Sequence, residues 1–175
     1  LTREAWAHLE QCEEIWLRTK FHPAVAGLPQ GVQARSFDDL YDTDKEISHV
    51  LANIVARVLE LGKREQGVTY CVPGSPFVAE ETVSEVVKAV ANTDIPIRLI
   101  DGVSFIEPVC SALGIDPHPQ MVLADALHQA ELEVPSFPPT LPALISQIDN
   151  SYEASQLKLT LMANYPEEHP VVLVH

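Results

Sequence analysis

The sequence predicts an α/β fold built around a parallel sheet, and three observations predict it. The first is the stretch Gly67–Pro76, where the short apolar run Val68–Val72 stops abruptly at Pro73-Gly74-Ser75-Pro76. Such a run reads as a buried strand, and the turn that follows combines prolines that fix φ with a glycine that lacks Cβ. The second is the amphipathic pattern beyond it, with Val83, Val86, Val87 and Val90 at helical spacing. The third is a repeat of the same transition: the run Ile95–Ile100 ends in Asp101-Gly102-Val103-Ser104, and Phe105, Val109 and Leu113 continue at helical spacing. Two strand–loop–helix units about 28 residues apart are what βαβ connections produce. In such folds ligands sit beyond the carboxyl ends of the strands. Taken alone, Pro-Gly-Ser-Pro reads first as a turn that rounds a corner, and the rest of the chain is what favours a site.

In chain order, Thr2 is an N-cap candidate for a first helix, on which Ala5, Leu9 and Cys12 share a face. Glu14–Arg18 reads as a strand, His22-Pro23 opens a connector, and a second strand is expected over Val32–Phe37. Thr43–Glu65 is the longest periodic segment. Ile47, Val50, Leu51, Ile54, Val55, Val58 and Leu59 repeat at three and four, so one stripe faces a core. A helix is expected from about Ala79, and then the strand Ile95–Ile100, lying parallel beside Val68–Val72. The last third has another texture. Gln120–Ala124 reads as a strand followed by a short helix from Asp125. Val134–Pro142 holds four of the 14 prolines and reads as an irregular connector. Ala143–Ile148 is strand-like, Ser151–Ala163 helical, and Val171–Val174 a final apolar strand. The texture changes between Gly102 and Pro119, so the domains are expected at 1–101 and 102–175.

Composition narrows the function. Eleven Lys and Arg stand against 25 Asp and Glu, a formal charge of −14. That average field repels a phosphate backbone, which argues against nucleic acid as a partner. No apolar run reaches about 18 residues, so no membrane span is expected. Cys12, Cys71 and Cys110 are an odd number at wide spacing, which suits reduced thiols in a cytoplasmic protein. Cys71 sits beside the central loop, yet its strand setting makes it a buried, inert thiol rather than a nucleophile. Asp38, Asp39, Asp42, Asp44 and Glu46 lack the spacing of a calcium loop and are explained by a helix N-terminus. His22, His118 and His169 each precede proline in loops, and His8 with Cys12 gives two potential ligands without a third. No metal site is expected.

Several separated stretches resemble one family. Leu1-Thr2-x-x-Ala5, Val72-Pro73-Gly74-Ser75-Pro76, Asp101-Gly102-Val103-Ser104-Phe105, Leu157-Lys158-Leu159 and Tyr165-Pro166-x-x-His169-Pro170-Val171 are similar to motifs of the tetrapyrrole methylases. These are S-adenosylmethionine-dependent enzymes of two α/β domains. Within the family the chain is most similar to the methylase-like domain that precedes a MazG-type nucleotide pyrophosphohydrolase in some bacterial fusion proteins. The resemblance implies a parallel-sheet N-terminal domain and a smaller α/β C-terminal domain, both incomplete. The first strand and its glycine-rich loop would precede Leu1, and the second domain would continue past His175. Ser75 stands where many methylases carry Asp, and Asp101 where they carry Pro. The pyrophosphohydrolase motif Glu-Glu-x-x-Glu is not matched by Glu80, Glu81 and Glu85.

The resemblance further implies that S-adenosylmethionine is bordered by Val72, Pro73, Gly74 and Ser75, and by Gly102, Val103 and Ser104. Ala124 and Asp125 would approach from the second domain. Methyl transfer from a sulfonium mainly requires in-line placement and exclusion of water, so no catalytic acid or base is singled out. Three readings follow: a methyltransferase acting on a tetrapyrrole-like small molecule, a ligand-sensing module serving a fused pyrophosphohydrolase, and a dimerising scaffold. Family members pair as homodimers, and the same is expected here.

Overall fold

In the computed structural model every residue is described except Asp44, Lys45, Asp149 and His175. The chain divides into two compact units, Leu1–Phe105 and Ile106–His175. The boundary expected after Asp101 therefore falls inside the first unit, which keeps the Gly102 loop with the Gly74 loop.

The first unit is organised by β1 (Glu14–Leu17), whose side chains alternate between two faces. Ile15 and Leu17 are buried on one face with Leu9, and Cys12, Val25, Leu28, Val32 and Cys71 pack around them. Trp16 points to the other face, where it stacks on Phe37 at 4.9 Å between ring centroids. β1 is the central strand of a parallel sheet: β2 (Gln33–Ser36) pairs on one side and β3 (Tyr70–Cys71) on the other. A strand covered on both faces needs apolar residues at successive positions, and Ile15-Trp16-Leu17 supplies them.

The expected helices form, with shifted ends. α1 (Arg3–Leu9) is capped by Thr2, whose Oγ1 accepts from the Ala5 amide at 3.1 Å. α2 (Asp38–Thr43) follows β2 directly, with Asp38 and Asp39 in its first turn, where carboxylates complement the helix dipole. α3 (Ile47–Gly62) is shorter than the 43–65 pattern suggested. Residues 44 and 45 of that expectation lie outside the described set, and Ile47 is exposed rather than inward. Val50, Ile54 and Val58 carry the core stripe, as the periodicity requires. Beyond the C-terminal end, Arg64 bonds Glu14 at 2.9 Å and the Gly67 carbonyl at 3.0 Å, fastening the chain as it turns toward β3. Glu14 is held by Trp16, Arg64 and Arg35 together, which keeps its carboxyl below the usual carboxylate range. α4 (Glu81–Val90) packs on α3, with Val86 in the same core cluster as Val50, Ile54 and Val58, and it also buries Val83 and Val90.

Two expected strands do not form. Ile95–Ile100 has no ladder partner among the described residues, and β3 pairs with β1, not with this segment. Pro96 removes a ladder donor, and Ile97 and Leu99 stand exposed. The apolar pattern was real, but a strand exists only where a neighbour offers backbone partners. Val171–Val174 is likewise exposed and forms no strand among the described residues.

The second unit holds α5 (Ile106–Leu113), β4 (Val122–Asp125), α6 (Ala126–Ala130), β5 (Ala143–Ser146) and α7 (Ser151–Leu161). β4 and β5 form a two-stranded parallel sheet, and α6 packs on α7. The proline-rich connector is irregular as expected, yet anchored. Phe137 is buried, and the Gln129 amide is bonded at both ends by Ser136, at 2.8 and 3.0 Å. Thr160 donates to the Leu132 carbonyl at 2.8 Å.

Phe37 is the keystone of the first core, stacked on Trp16 and edge-on to Tyr70 at 5.8 Å with 1% exposure. Phe37→Ala should lower stability by about 3–5 kcal/mol, the usual cost of emptying such a site. Urea unfolding followed by tryptophan fluorescence measures it, and a loss below about 1 kcal/mol would remove Phe37 from that role.

Candidate functional site: two glycine loops at one sheet edge

β3 ends at Cys71, and the chain enters the Val72–Pro76 loop. Gly74 adopts φ +77°, a left-handed conformation that costs glycine little and branched residues a great deal. The Asp101–Ser104 loop lies directly against it. A Cβ built on Gly102 would stand 1.8 Å from the Gly74 carbonyl oxygen and 2.7 Å from its carbon. Only a residue without a side chain permits that approach. A Cβ on Gly74 would instead meet just the Val103 carbonyl oxygen, at 3.7 Å, so its outer side is open. The two loops that the sequence singled out thus touch backbone to backbone, although the strand expected before the second is missing.

The N-terminus of α1 joins them. Thr2 Oγ1 donates to the Asp101 carbonyl at 2.9 Å while accepting from Ala5. Arg98, just before the loop, pairs with Glu4 at 2.9 Å. Three segments far apart in sequence are tied at one place. Ser75 and Ser104 are half-buried, whereas Phe77, Val103 and Phe105 stay open to solvent. An exposed backbone with neighbouring apolar side chains suits a ligand that has both a polar and a planar part.

Beneath the first loop lies a polar cluster that sequence reasoning missed. Glu80 caps α4 and is buried. It accepts hydrogen bonds from the Thr82 amide and hydroxyl, and Arg18 Nη1 lies 3.5 Å from its other oxygen. Tyr70 reaches the same Thr82 hydroxyl at 2.8 Å. Burial drives the Tyr70 phenol well above its usual range, so it stays protonated. The available signals were an arginine at the end of an apolar strand run and a Glu-x-Thr pair at a helix start.

The remaining candidates separate. Ala124 and Asp125 belong to the second unit, where Asp125 caps α6 by accepting from the Leu127 and His128 amides at 2.9 and 3.1 Å. That is a structural use of the carboxylate. Asp38 is bound by Thr19 at 2.6 Å and by the Lys20 amide at 3.0 Å. Burial pushes its carboxyl up, but these bonds and Ser36 outweigh it, and the net shift is downward. No cluster of metal ligands exists among the described residues; Asp44 of the acidic run lies outside them. His8 and Cys12 do meet, at 3.7 Å, and Thr69 closes the group at 3.2 and 3.5 Å. No helix among the described residues is long and apolar enough to cross a membrane.

A parallel sheet with glycine loops in backbone contact beside its carboxyl edge defines the chain as an α/β protein. The family model of the tetrapyrrole (corrin/porphyrin) methylases matches residues 1–175, and the chain belongs to that family. Its members use S-adenosylmethionine as methyl donor. The chain is also 33% identical over 169 residues to the uncharacterised protein YabN of Bacillus subtilis, covering 95% of this chain. It spans 33% of that relative's length.

Cys71 is half-buried rather than fully buried as the sequence suggested. Burial, with the Cys12 thiol adding to it, pushes its thiol up to about 12. Thiolate is the reactive form, so alkylation of Cys71 at pH 8 should be far slower in the folded chain than in urea, by mass spectrometry. Equal rates would refute the burial argument. A thiol whose folded pKa is raised keeps its proton while the unfolded thiol loses it. Stability should therefore decline as pH rises above about 9, and the decline should flatten in Cys71→Ser.

Proposed function

We propose that this chain is a methyltransferase domain that holds S-adenosylmethionine at the Gly74 and Gly102 loops. The observation that carries the reading is their contact, in which a backbone carbonyl occupies the space of the Gly102 side chain. Such a cradle lets a ligand reach main-chain groups on the open side of Gly74. Val72, Pro73 and Ser75 would hold the donor on one side, and Val103 and Ser104 on the other. The donor supplies a methyl group already activated on sulfur. The residues then need only orient it and exclude water, and Phe77, Val103 and Phe105 provide apolar cover. That economy agrees with the lack of an acid–base pair in either loop. The methyl acceptor in this reading is a planar, tetrapyrrole-like molecule, and the working assembly a homodimer.

The test is calorimetry of the full-length protein with S-adenosylmethionine. Gly74→Val places a branched side chain at φ +77° and on the ligand's side of the loop, so donor binding should be lost. The cost in stability should stay near 1–3 kcal/mol, because the loop is at the surface. Gly102→Ala should weaken binding for another reason: its Cβ must displace Gly74 itself. Gly27→Ala is the control, since its Cβ meets nothing and its φ is not positive. Gly31 is unsuitable as a control because its φ is +96°. If Gly74→Val binds the donor as wild type does, the loop is only a corner. If wild type itself shows no binding at millimolar donor, the domain is not a methyltransferase and the ligand-sensing reading replaces it.

A further inference from the structure

A small cleft of about 290 Å³ lies at the amino ends of β1 and β2, away from the glycine loops, walled by the end of α1 and by the chain before β2. Cys12 lines it, half-buried. The thiol does not stand by itself. His8 Nε2, from the last turn of α1, is 3.7 Å from Sγ, and Thr69 Oγ1 is 3.5 Å from Sγ and 3.2 Å from that same nitrogen. The Cys12 thiol also has the His8 carbonyl within reach, at 3.3 Å. Helical spacing brings His8 to Cys12. Thr69, at the entry to β3, closes the triangle only in the folded chain.

A thiol becomes a nucleophile when a base takes its proton and donors hold the charge left behind. His8 Nε2 can take the proton, and the imidazolium and the Thr69 hydroxyl then both face the sulfur. The other two cysteines are set differently. Cys110 is buried, and burial holds the proton on Cys71, which packs in the same cluster as Cys12. The cleft also selects by size and charge. Its volume falls just below the roughly 300 Å³ at which pockets for drug-sized molecules begin, so the occupant is small. Glu10 and Glu13 are among its lining residues, and no Lys or Arg is. Glu10 accepts from the neutral Trp6 indole at 2.7 Å, a bond that leaves its negative charge in place.

We propose that Cys12 is a thiol-modification site, with His8 as its base, and that it takes a small disulfide carrying positive charge. In the step, His8 Nε2 takes the Sγ proton, Sγ bonds to one sulfur of the reagent, and the reagent's S–S bond breaks. The departing thiolate takes the proton from His8 and leaves as a free thiol. Cys12 is oxidised to a mixed disulfide and the departing half of the reagent is reduced, so no further oxidant is needed. The site does not depend on the donor reading, because its residues are separate from both glycine loops.

The test treats the full-length protein with cystamine, a dication, or with dithiodipropionate, a dianion, and follows each cysteine by peptide mass mapping. With cystamine at about pH 7, Cys12 should react at least about tenfold faster in the folded chain than in urea, the low end of what a positioned base supplies. Cys71 should show the reverse. At low salt cystamine should outpace dithiodipropionate at Cys12 by at least about tenfold, each rate taken relative to that with a small neutral thiol. Glu13→Gln should narrow that gap, and Glu131→Gln, in the second unit, should leave it unchanged. His8→Asn should lose the acceleration near pH 7 and rejoin wild type near pH 10, where a thiol ionises without help. A role in packing alone would slow the reaction at both. Continued protection of Cys71 in His8→Asn reports that the cluster is still folded. If that protection is lost, the two wild-type comparisons carry the decision. A folded Cys12 no faster than in urea, dithiodipropionate matching cystamine, or a folded His8→Asn that keeps the wild-type rate near pH 7 or stays slow near pH 10 would each overturn the proposal.

Discussion

Everything in the first unit depends on β1 being buried on both faces. A strand in that position must find partners on both edges and apolar cover above and below, and each requirement recruits a distant segment. Ile15 and Leu17 draw in α1 and the connector after β1, while Trp16 draws in Phe37, Tyr70 and the stripe of α3. β2 and β3 are recruited by the ladder itself. Both lie parallel to β1, so all three strands deliver their following loops to one edge. The Gly74 loop lies at that edge because the parallel ladder directs the chain leaving β3 there.

The same burial explains the polar cluster at the edge. Arg18 follows the last apolar residue of β1 and emerges beside the loop after β3, where Glu80 would otherwise be a buried, uncompensated carboxylate. Glu80 is stabilised chiefly by Thr82, through two hydrogen bonds, and only loosely by Arg18. Arg18 reaches Glu80 through one nitrogen at 3.5 Å, and its buried Nε has no partner, so the pair falls short of a bidentate salt bridge. The glycine loops work by the opposite logic: there the fold brings two backbones so close that no side chain fits between them.

The family assignment and the geometry bear on different questions. Membership of the tetrapyrrole methylases gives the chemistry its class, and the residues at Ser75 and Asp101 differ from the pattern that the resemblance implied. Both positions act here largely through backbone. The Asp101 carbonyl accepts from Thr2, and the Ser75 Cα lies 3.4 Å from where a Gly102 Cβ would stand. Substitution of side chains at such positions is compatible with keeping the loop architecture.

Local pattern was enough for most elements. The helical stripes of α3 and α4, the Thr2 cap and the two glycine loops are set by short-range periodicity and by residues whose conformational limits are intrinsic. Tertiary structure decided what depends on a partner elsewhere in the chain. Ile95–Ile100 and Val171–Val174 have the composition of strands but no ladder partner among the described residues, and most of their side chains are exposed. Arg18, Glu80, Thr82 and Tyr70 are unremarkable one by one in sequence, and they become one network, with Glu80 and Thr82 buried, only when β1, β3 and α4 converge. The contact of Gly74 with Gly102 belongs to both levels. The sequence marked each glycine as a turn, and only the folded chain, by placing one carbonyl where the other's Cβ would be, made both indispensable.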